Sequence, residues 1–245
     1  MYINFLYYFF VFCLGSAIGS FIMASAMRLK DDESILTSSR CRFCEKNLTP
    51  LELIPIFSWV VQRGKCACQK FNLSLNYFLA EIFLGLIYVV LSSYYPFPES
   101  LFLLAFASGL TFCFLTDYMH QLLHLPTMIF IGGLGIFYDY YTHGPAISFS
   151  VLGILVGFLI LFSINIIFKK LRRKDGFGDG DKYLLASIGA WIGAYKVVYL
   201  LFLASWIGLL FAVPLLLKKR ADLSSALPFG VYLTLAVPLV YFLKI

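Results

Sequence analysis

From Tyr2 to Met27 the chain carries no charged residue, and a run of that length leaves its backbone few ways to be satisfied. About 20 consecutive apolar residues cross the hydrocarbon of a bilayer as a helix, because every amide is then bonded inside its own segment. No basic stretch precedes the run and no small-residue cleavage site followed by a soluble domain comes after it, so it reads as a retained helix. Further apolar windows are Tyr77 to Tyr95, Leu101 to Thr116, Leu125 to Tyr141, Ser148 to Phe168 and Leu227 to Leu243. The stretch from Tyr183 to Leu217 is too long for one crossing and a little short for two. It is divided near Gly193 to Lys196, with one strongly tilted helix as the alternative. With 61% of residues hydrophobic and 13% charged, lipid is the solvent for most of the chain. The expected fold is an all-α polytopic membrane protein of about eight transmembrane helices.

Of the 19 Lys and Arg residues, 17 fall in the segments Arg28 to Lys70, Lys169 to Lys182 and Lys218 to Arg220. Positively charged loops remain in the cytosol. Alternating eight crossings from that rule puts both termini outside, together with the loops Pro96 to Ser100 and Asp139 to Ala146, neither of which contains Lys or Arg. The expected layout is a first transmembrane helix at 1–27 and a cytosolic cysteine-rich loop at 28–76. A second helix with an outer loop follows at 77–100, and a six-helix membrane domain at 101–245. The net charge of +6 is that of loops facing anionic head groups. No nucleic-acid partner is expected, since the basic residues are spread over short loops without an aromatic groove.

Six cysteines divide into two kinds. Cys13 and Cys113 lie in apolar windows, where a thiol acts as a small hydrophobe. Cys41, Cys44, Cys66 and Cys68 are concentrated in the long basic loop. Two facing cysteine pairs are the arrangement that wraps four thiolates around Zn²⁺, and a reducing compartment argues against disulfides. The second pair has one intervening residue where two are usual, so free thiols left from a degenerate site are the alternative. Four cysteine ligands leave no open coordination position, so the metal expected here is structural.

Most of the 13 acidic residues sit where a solvated loop would put them. Asp117 and Glu81 do not, and ionisable residues at membrane depth are functional candidates. Asp117 closes an apolar window in "FLTDYMHQLLHLP"; the structural alternative is a cap on the turn that follows. A second element, "KKLRRKDGFGDGDKYLLASIGAWIG", places Gly176, Gly178 and Gly180 directly before an apolar helix. Its alternative is a flexible polar turn. Together, two aspartates from separate helices on one membrane face can share a proton, one acting as base toward water and the other as acid toward a carbonyl.

These residues resemble the type IV prepilin peptidases, bifunctional leader peptidases and N-methyltransferases. The likeness covers nearly the whole chain. "GSFIMASAMRL" (Gly19 to Leu29) is similar to the family's opening motif, "CRFCEKNLTPLELIPIFSWVVQRGKCAC" (Cys41 to Cys68) to its four-cysteine loop, and "SLNYFLAE" (Ser74 to Glu81) to the entry of its second helix. "DYMHQLLHLP" resembles the segment of the first catalytic aspartate, carried to Asp117. The Gly-x-Gly-Asp motif reads in two frames, Gly176 to Asp179 and Gly178 to Asp181. The later frame is chosen because "LLASIGAWIG" then falls in register, with Asp179 as the fallback. Four positions depart from the pattern. Cys68 comes one residue early, His124-Leu125-Pro126 replaces Pro-Asp, Lys182 lies next to Asp181, and Met23 stands where Asn is usual.

The resemblance implies removal of the basic leader of prepilins or pseudopilins on the cytosolic side of the inner membrane by Asp117 and Asp181, supported by Gly178 and Gly180. It further implies methylation of the new N-terminus from S-adenosylmethionine, for which Glu81, Arg28 and Gly19 are the candidate residues. Acidic residues such as Asp31, Asp32, Glu33, Glu52, Asp175 and Asp179 are expected to offset the basic loops facing a basic leader. A non-catalytic assembly scaffold and a carboxylate-based transporter are the rival classes. A transporter would bring charges to the midplane, and no inverted repeat relates the two halves.

Overall fold

The computed structural model describes residues 2–29, 39–41, 44–66, 68, 72–145, 148–172, 178–217 and 227–242. Among them the regular elements are helical, apart from two isolated bridges in the cysteine loop. The chain divides into two compact units within one helix, Met1–Phe112 and Cys113–Ile245.

The first unit is built on α1 (Tyr2–Leu29) and α3 (Leu75–Tyr94), joined by the cysteine loop with a 3₁₀ turn (Pro50–Leu53) and a short α2 (Phe57–Val61). Helices in lipid gain little from burying apolar surface and associate where small residues let their backbones approach. Gly15 and Gly19 supply that surface on α1. A Cβ on Gly15 would stand 2.8 Å from the Tyr88 ring, and one on Gly19 2.8 Å from the Ala80 carbonyl oxygen. From the other side, a Cβ on Gly85 would meet Ser16 Oγ at 2.6 Å. The start of α4 (Glu99–His120) belongs to this unit, and its Ser108 hydroxyl pairs with Tyr88 Oη at 2.8 Å.

The second unit holds the end of α4 and α5 (Leu125–His143), α6 (Ser148–Arg172), α7 (Asp181–Leu217) and α8 (Phe229–Phe242). Here α6 crosses α7 on Gly153 and Gly157: Gly153 lies directly against the Gly189 backbone, and a Cβ on Gly157 would be 2.7 Å from the Leu185 carbonyl oxygen. Gly193, at φ 76 and ψ 166, interrupts α7, and the Phe149 ring occupies the space a side chain would need there. The 37-residue helix is thus two segments, divided within the stretch where the sequence places the break. Eight apolar helical segments result. Among the described residues α1, α3, α4, α6 and the whole of α7 are each long and apolar enough to cross a membrane; α8, with 14 residues, is shorter.

The burial pattern is that of a protein in lipid. Phe5, Phe10, Ile129, Phe202 and Leu210 are exposed, while Asp117, Asp139, Asp181, Glu81 and Thr116 are buried. Two expectations need correction. α4 continues through Thr116 to His120, so Asp117 lies inside the helix. Asp139 does not begin an exposed loop, since α5 runs to His143 and Asp139 is 2% exposed in its last turns. Its carboxylate accepts the backbone N–H and hydroxyl of Ser150 and pairs with His143 Nδ1 at 2.9 Å, closing the connection from α5 to α6.

The close α6–α7 crossing is testable. Gly157→Val should destabilise the purified protein by about 1–3 kcal/mol, because backbone cannot move aside as a side chain can. Gly133→Ala, whose methyl meets nothing within 4 Å, should leave the thermal midpoint in detergent unchanged or slightly raised.

Candidate functional site

The last two turns of α4 present Cys113, Thr116, Asp117 and His120 at helical spacing along one side. Asp117 is 4% exposed. Its Oδ2 accepts the Val231 N–H at 2.9 Å, and the Gly230 N–H also bonds to the carboxylate. These are amides of the first turn of α8, which a helix leaves without internal partners. Asp117 therefore does act as a cap, but on a helix that starts more than a hundred residues later rather than on its own following turn.

Asp181 opens α7 and is likewise 4% exposed. Its Oδ2 accepts the Gly178 N–H at 3.1 Å, so the glycine-rich turn folds back onto the carboxylate it precedes. The charge of Asp117 reaches Asp181 across the space between them. No cation among the described residues is paired with either carboxylate. The fallback residue Asp179 stands in a different setting: it is exposed and bonded to Lys182 Nζ at 2.8 Å, which holds its carboxyl below the usual carboxylate range.

Gly230 and Leu123, not singled out from the sequence, set the fit together with Gly180. A Cβ on Gly230 would lie 2.8 Å from Asp117 Oδ2, and one on Gly180 would lie 2.6 Å from Leu123 Cβ. Leu123 also approaches Gly230, at 3.3 Å from the same construction, so this one side chain fills the space between the turn before α7 and the start of α8. Gly178 contributes its amide and Gly180 its missing side chain. No local signal marks Gly230, because its neighbour Asp117 is remote in sequence.

In the first unit the cysteines converge. Cys41 opens a tight turn in which its amide bonds the Lys46 carbonyl at 2.9 Å and its carbonyl accepts the Glu45 N–H, closed by a bridge between Arg40 and Asn47. A second bridge, Lys65 to Asn72, encloses Cys66 and Cys68. The four sulfurs lie within 4.8 Å of one another, Cys41 to Cys68 at 3.9 Å. A tetrahedron of thiolates at about 2.3 Å from Zn²⁺ has edges of about 3.8 Å. The one-residue spacing of the second pair thus does not keep Cys68 from the cluster, and the four cysteines can hold a metal ion. Burial, with the hydrogen bond to Cys41 adding to it, pushes the Cys66 thiol up to about 12.

Glu81, 5% exposed in α3, accepts the Ile56 N–H at 2.6 Å and a hydrogen bond from Ser20 of α1. It fastens the loop between the cysteine pairs to both helices. Gly19 packs beside it, 3.2 Å from the Glu81 Cα by its missing Cβ, and Arg28 ends α1 half-buried. In the same loop Trp59 stacks on Phe78 with centroids 4.7 Å apart. Glu52 caps the 3₁₀ turn through Thr49, whose amide and hydroxyl hold its carboxyl below the usual range. Asp31, Asp32, Glu33 and Asp175, expected to face a basic leader, lie outside the described residues, as does Gly176.

Fold and sites define a polytopic membrane protein with two buried aspartates in one unit, unpaired with a cation among the described residues, and a four-cysteine cluster in the other. Residues 13–95 match the bacterial peptidase A24 N-terminal domain, and residues 104–213 match the type IV leader peptidase family. Among curated relatives, the prepilin leader peptidase/N-methyltransferase of Pseudomonas putida is 34% identical, the match covering 82% of this chain and 70% of the relative. Its namesake from Aeromonas salmonicida is 33% identical (89% and 76%), and that from Neisseria gonorrhoeae 31% (78% and 69%). No solved structure matches the chain. The chain belongs to the type IV leader peptidase family.

The contact between Gly230 and Asp117 yields a prediction. Gly230→Ala should displace the carboxylate from the α8 amides and lower stability by about 1–3 kcal/mol. In an Asp117→Ala background the same change should cost much less, and a double-mutant cycle of thermal or denaturant unfolding would read the difference.

Proposed function

We propose that this protein is an intramembrane aspartyl endopeptidase that removes the leader of type IV prepilins or pseudopilins, with Asp117 and Asp181 as the catalytic pair. The observation that carries the reading is a pair of buried carboxylates, each brought by a different helix, with no cation paired to either among the described residues. A structural pair would be expected to find an arginine or lysine, as Asp179 does. Two carboxylates that share one proton can hold a water between them. The ionised one takes a proton from that water, whose oxygen bonds to the scissile carbonyl carbon, while the protonated one gives its proton to the carbonyl oxygen. Collapse of the tetrahedral species breaks the C–N bond: the amine leaves with the proton that the first carboxylate took from water, and a hydroxyl proton of the tetrahedral carbon returns to the second. Burial supports Asp181 over Asp179 for this role, and the amides of Gly178, Gly230 and Val231 orient the two carboxylates.

The substrate class follows from family membership and from charge. Nine of the 19 basic residues lie in Lys169 to Lys182 and Lys218 to Arg220, the segments at the two ends of the helix that Asp181 opens, which supports a site facing the cytosol of an inner-membrane protein with both termini outside.

The first unit carries the second proposed activity, N-methylation of the new terminus. S-adenosylmethionine would supply the methyl group from a positively charged sulfonium. Glu81 is the one buried carboxylate of this unit among the described residues, which suits a cation, and Gly19 and Arg28 belong to the same helix pair. Cys41, Cys44, Cys66 and Cys68 fit a structural Zn²⁺, whose charge would hold the loop that Glu81 fastens.

Asp117→Asn and Asp181→Asn should each abolish leader removal, followed by gel shift of a co-expressed prepilin, because the amide keeps the shape but cannot carry the shared proton. Retained processing by both variants would overturn the assignment. Separately, the purified protein should carry one Zn²⁺ per chain by atomic spectroscopy, absent from a Cys41→Ser, Cys66→Ser variant. Because metal must displace protons from thiols as weakly acidic as Cys66, apparent zinc affinity should fall as pH falls.

A further inference from the structure

His120 lies one turn beyond Asp117 on the same side of α4. Both of its ring nitrogens are buried, and neither has a hydrogen-bond partner among the described residues. Among described side chains this is the single imidazole so placed: His124 bonds Thr127 at 3.0 Å, and His143 bonds Asp139. Leaving a buried donor and acceptor unmade costs stability. Each such group calls for an account, and a functional partner is one. A leucine of similar size would fill this place without the cost.

The chemistry of the ring says what partner would satisfy it. A neutral imidazole offers one N–H donor and one nitrogen acceptor on opposite edges. An extended peptide offers the complement, a carbonyl oxygen and an amide N–H along one edge. A scissile bond must be out of helical form before water can reach its carbonyl, and its freed backbone groups then need partners that hold them in place. We infer that His120 is a binding residue for the unwound backbone of the substrate next to its scissile bond, donating to one carbonyl and accepting from one amide so that the bond is held beside Asp117. The inference rests on the proteolytic reading above and adds to it the group that receives the opened chain.

The test uses the full-length protein in detergent or vesicles with a purified prepilin, measuring leader removal and thermal unfolding for wild type, His120→Leu, His120→Asn and Asp117→Asn. His120→Leu should raise KM about tenfold, in line with one or two lost hydrogen bonds, with a smaller fall in kcat. Its thermal midpoint should stay the same or rise, since an unmade polar pair has been removed. His120→Asn, which keeps one donor and one acceptor, should recover part of the loss in KM. An unchanged KM in His120→Leu overturns the inference, as does a lower midpoint with activity lost in both variants, which marks a purely structural residue. If wild type and Asp117→Asn are alike in leaving prepilin uncut, the proteolytic reading itself fails and the inference with it.

Discussion

A carboxylate can stand at membrane depth only where something other than bulk water meets it, and in this protein the partners of Asp117 are amides that also lack partners. The first turn of α8 exposes N–H groups that its own helix cannot use, and Asp117 accepts from Gly230 and Val231. One interaction thus solves two problems of a low-dielectric medium, and it ties the end of α4 to a helix far along the chain. Asp181 solves the same problem locally, by folding the turn at Gly178 back onto itself. Neither solution uses a cation among the described residues.

The rest of the second unit serves that placement. Glycines at 153, 157 and 189 let α6 and α7 touch along their backbones, and the break at Gly193 lets a long apolar stretch turn while Asp181 stays at its start. Trp191 donates to the Ile131 carbonyl at 2.9 Å and stacks on Tyr138, locking α5 to α7. In the first unit a similar economy operates, where one buried acid, Glu81, is spent on the Ile56 amide and Ser20 and so joins the cysteine loop to two helices.

Much of this was legible in the residues. Apolar windows mark every long helix, the basic segments mark their ends, and the glycine-rich turn before "LLASIGAWIG" marks Asp181 in preference to Asp179, in agreement with their opposite burial. The four cysteines announce a shared centre, although their irregular spacing left open whether Cys68 could join it until its sulfur was placed 3.9 Å from that of Cys41. Asp139 was missed because it lies at the very end of an apolar window, beside residues without Lys or Arg, where a solvated loop is the ordinary expectation. Its partner Ser150 is supplied by the next helix.

By itself the sequence determined the solvent and the class of fold, because hydropathy and charge act locally along a chain whose backbone must be satisfied segment by segment. It also determined which residue types were available for chemistry. Only the tertiary structure decided which of them meet: that Asp117 caps α8, that Leu123 separates Gly180 from Gly230, and that the ring nitrogens of His120 are buried without a partner among the described residues. Those facts depend on contacts between residues far apart in the chain, and such contacts are set by how helices pack rather than by any periodicity within one of them.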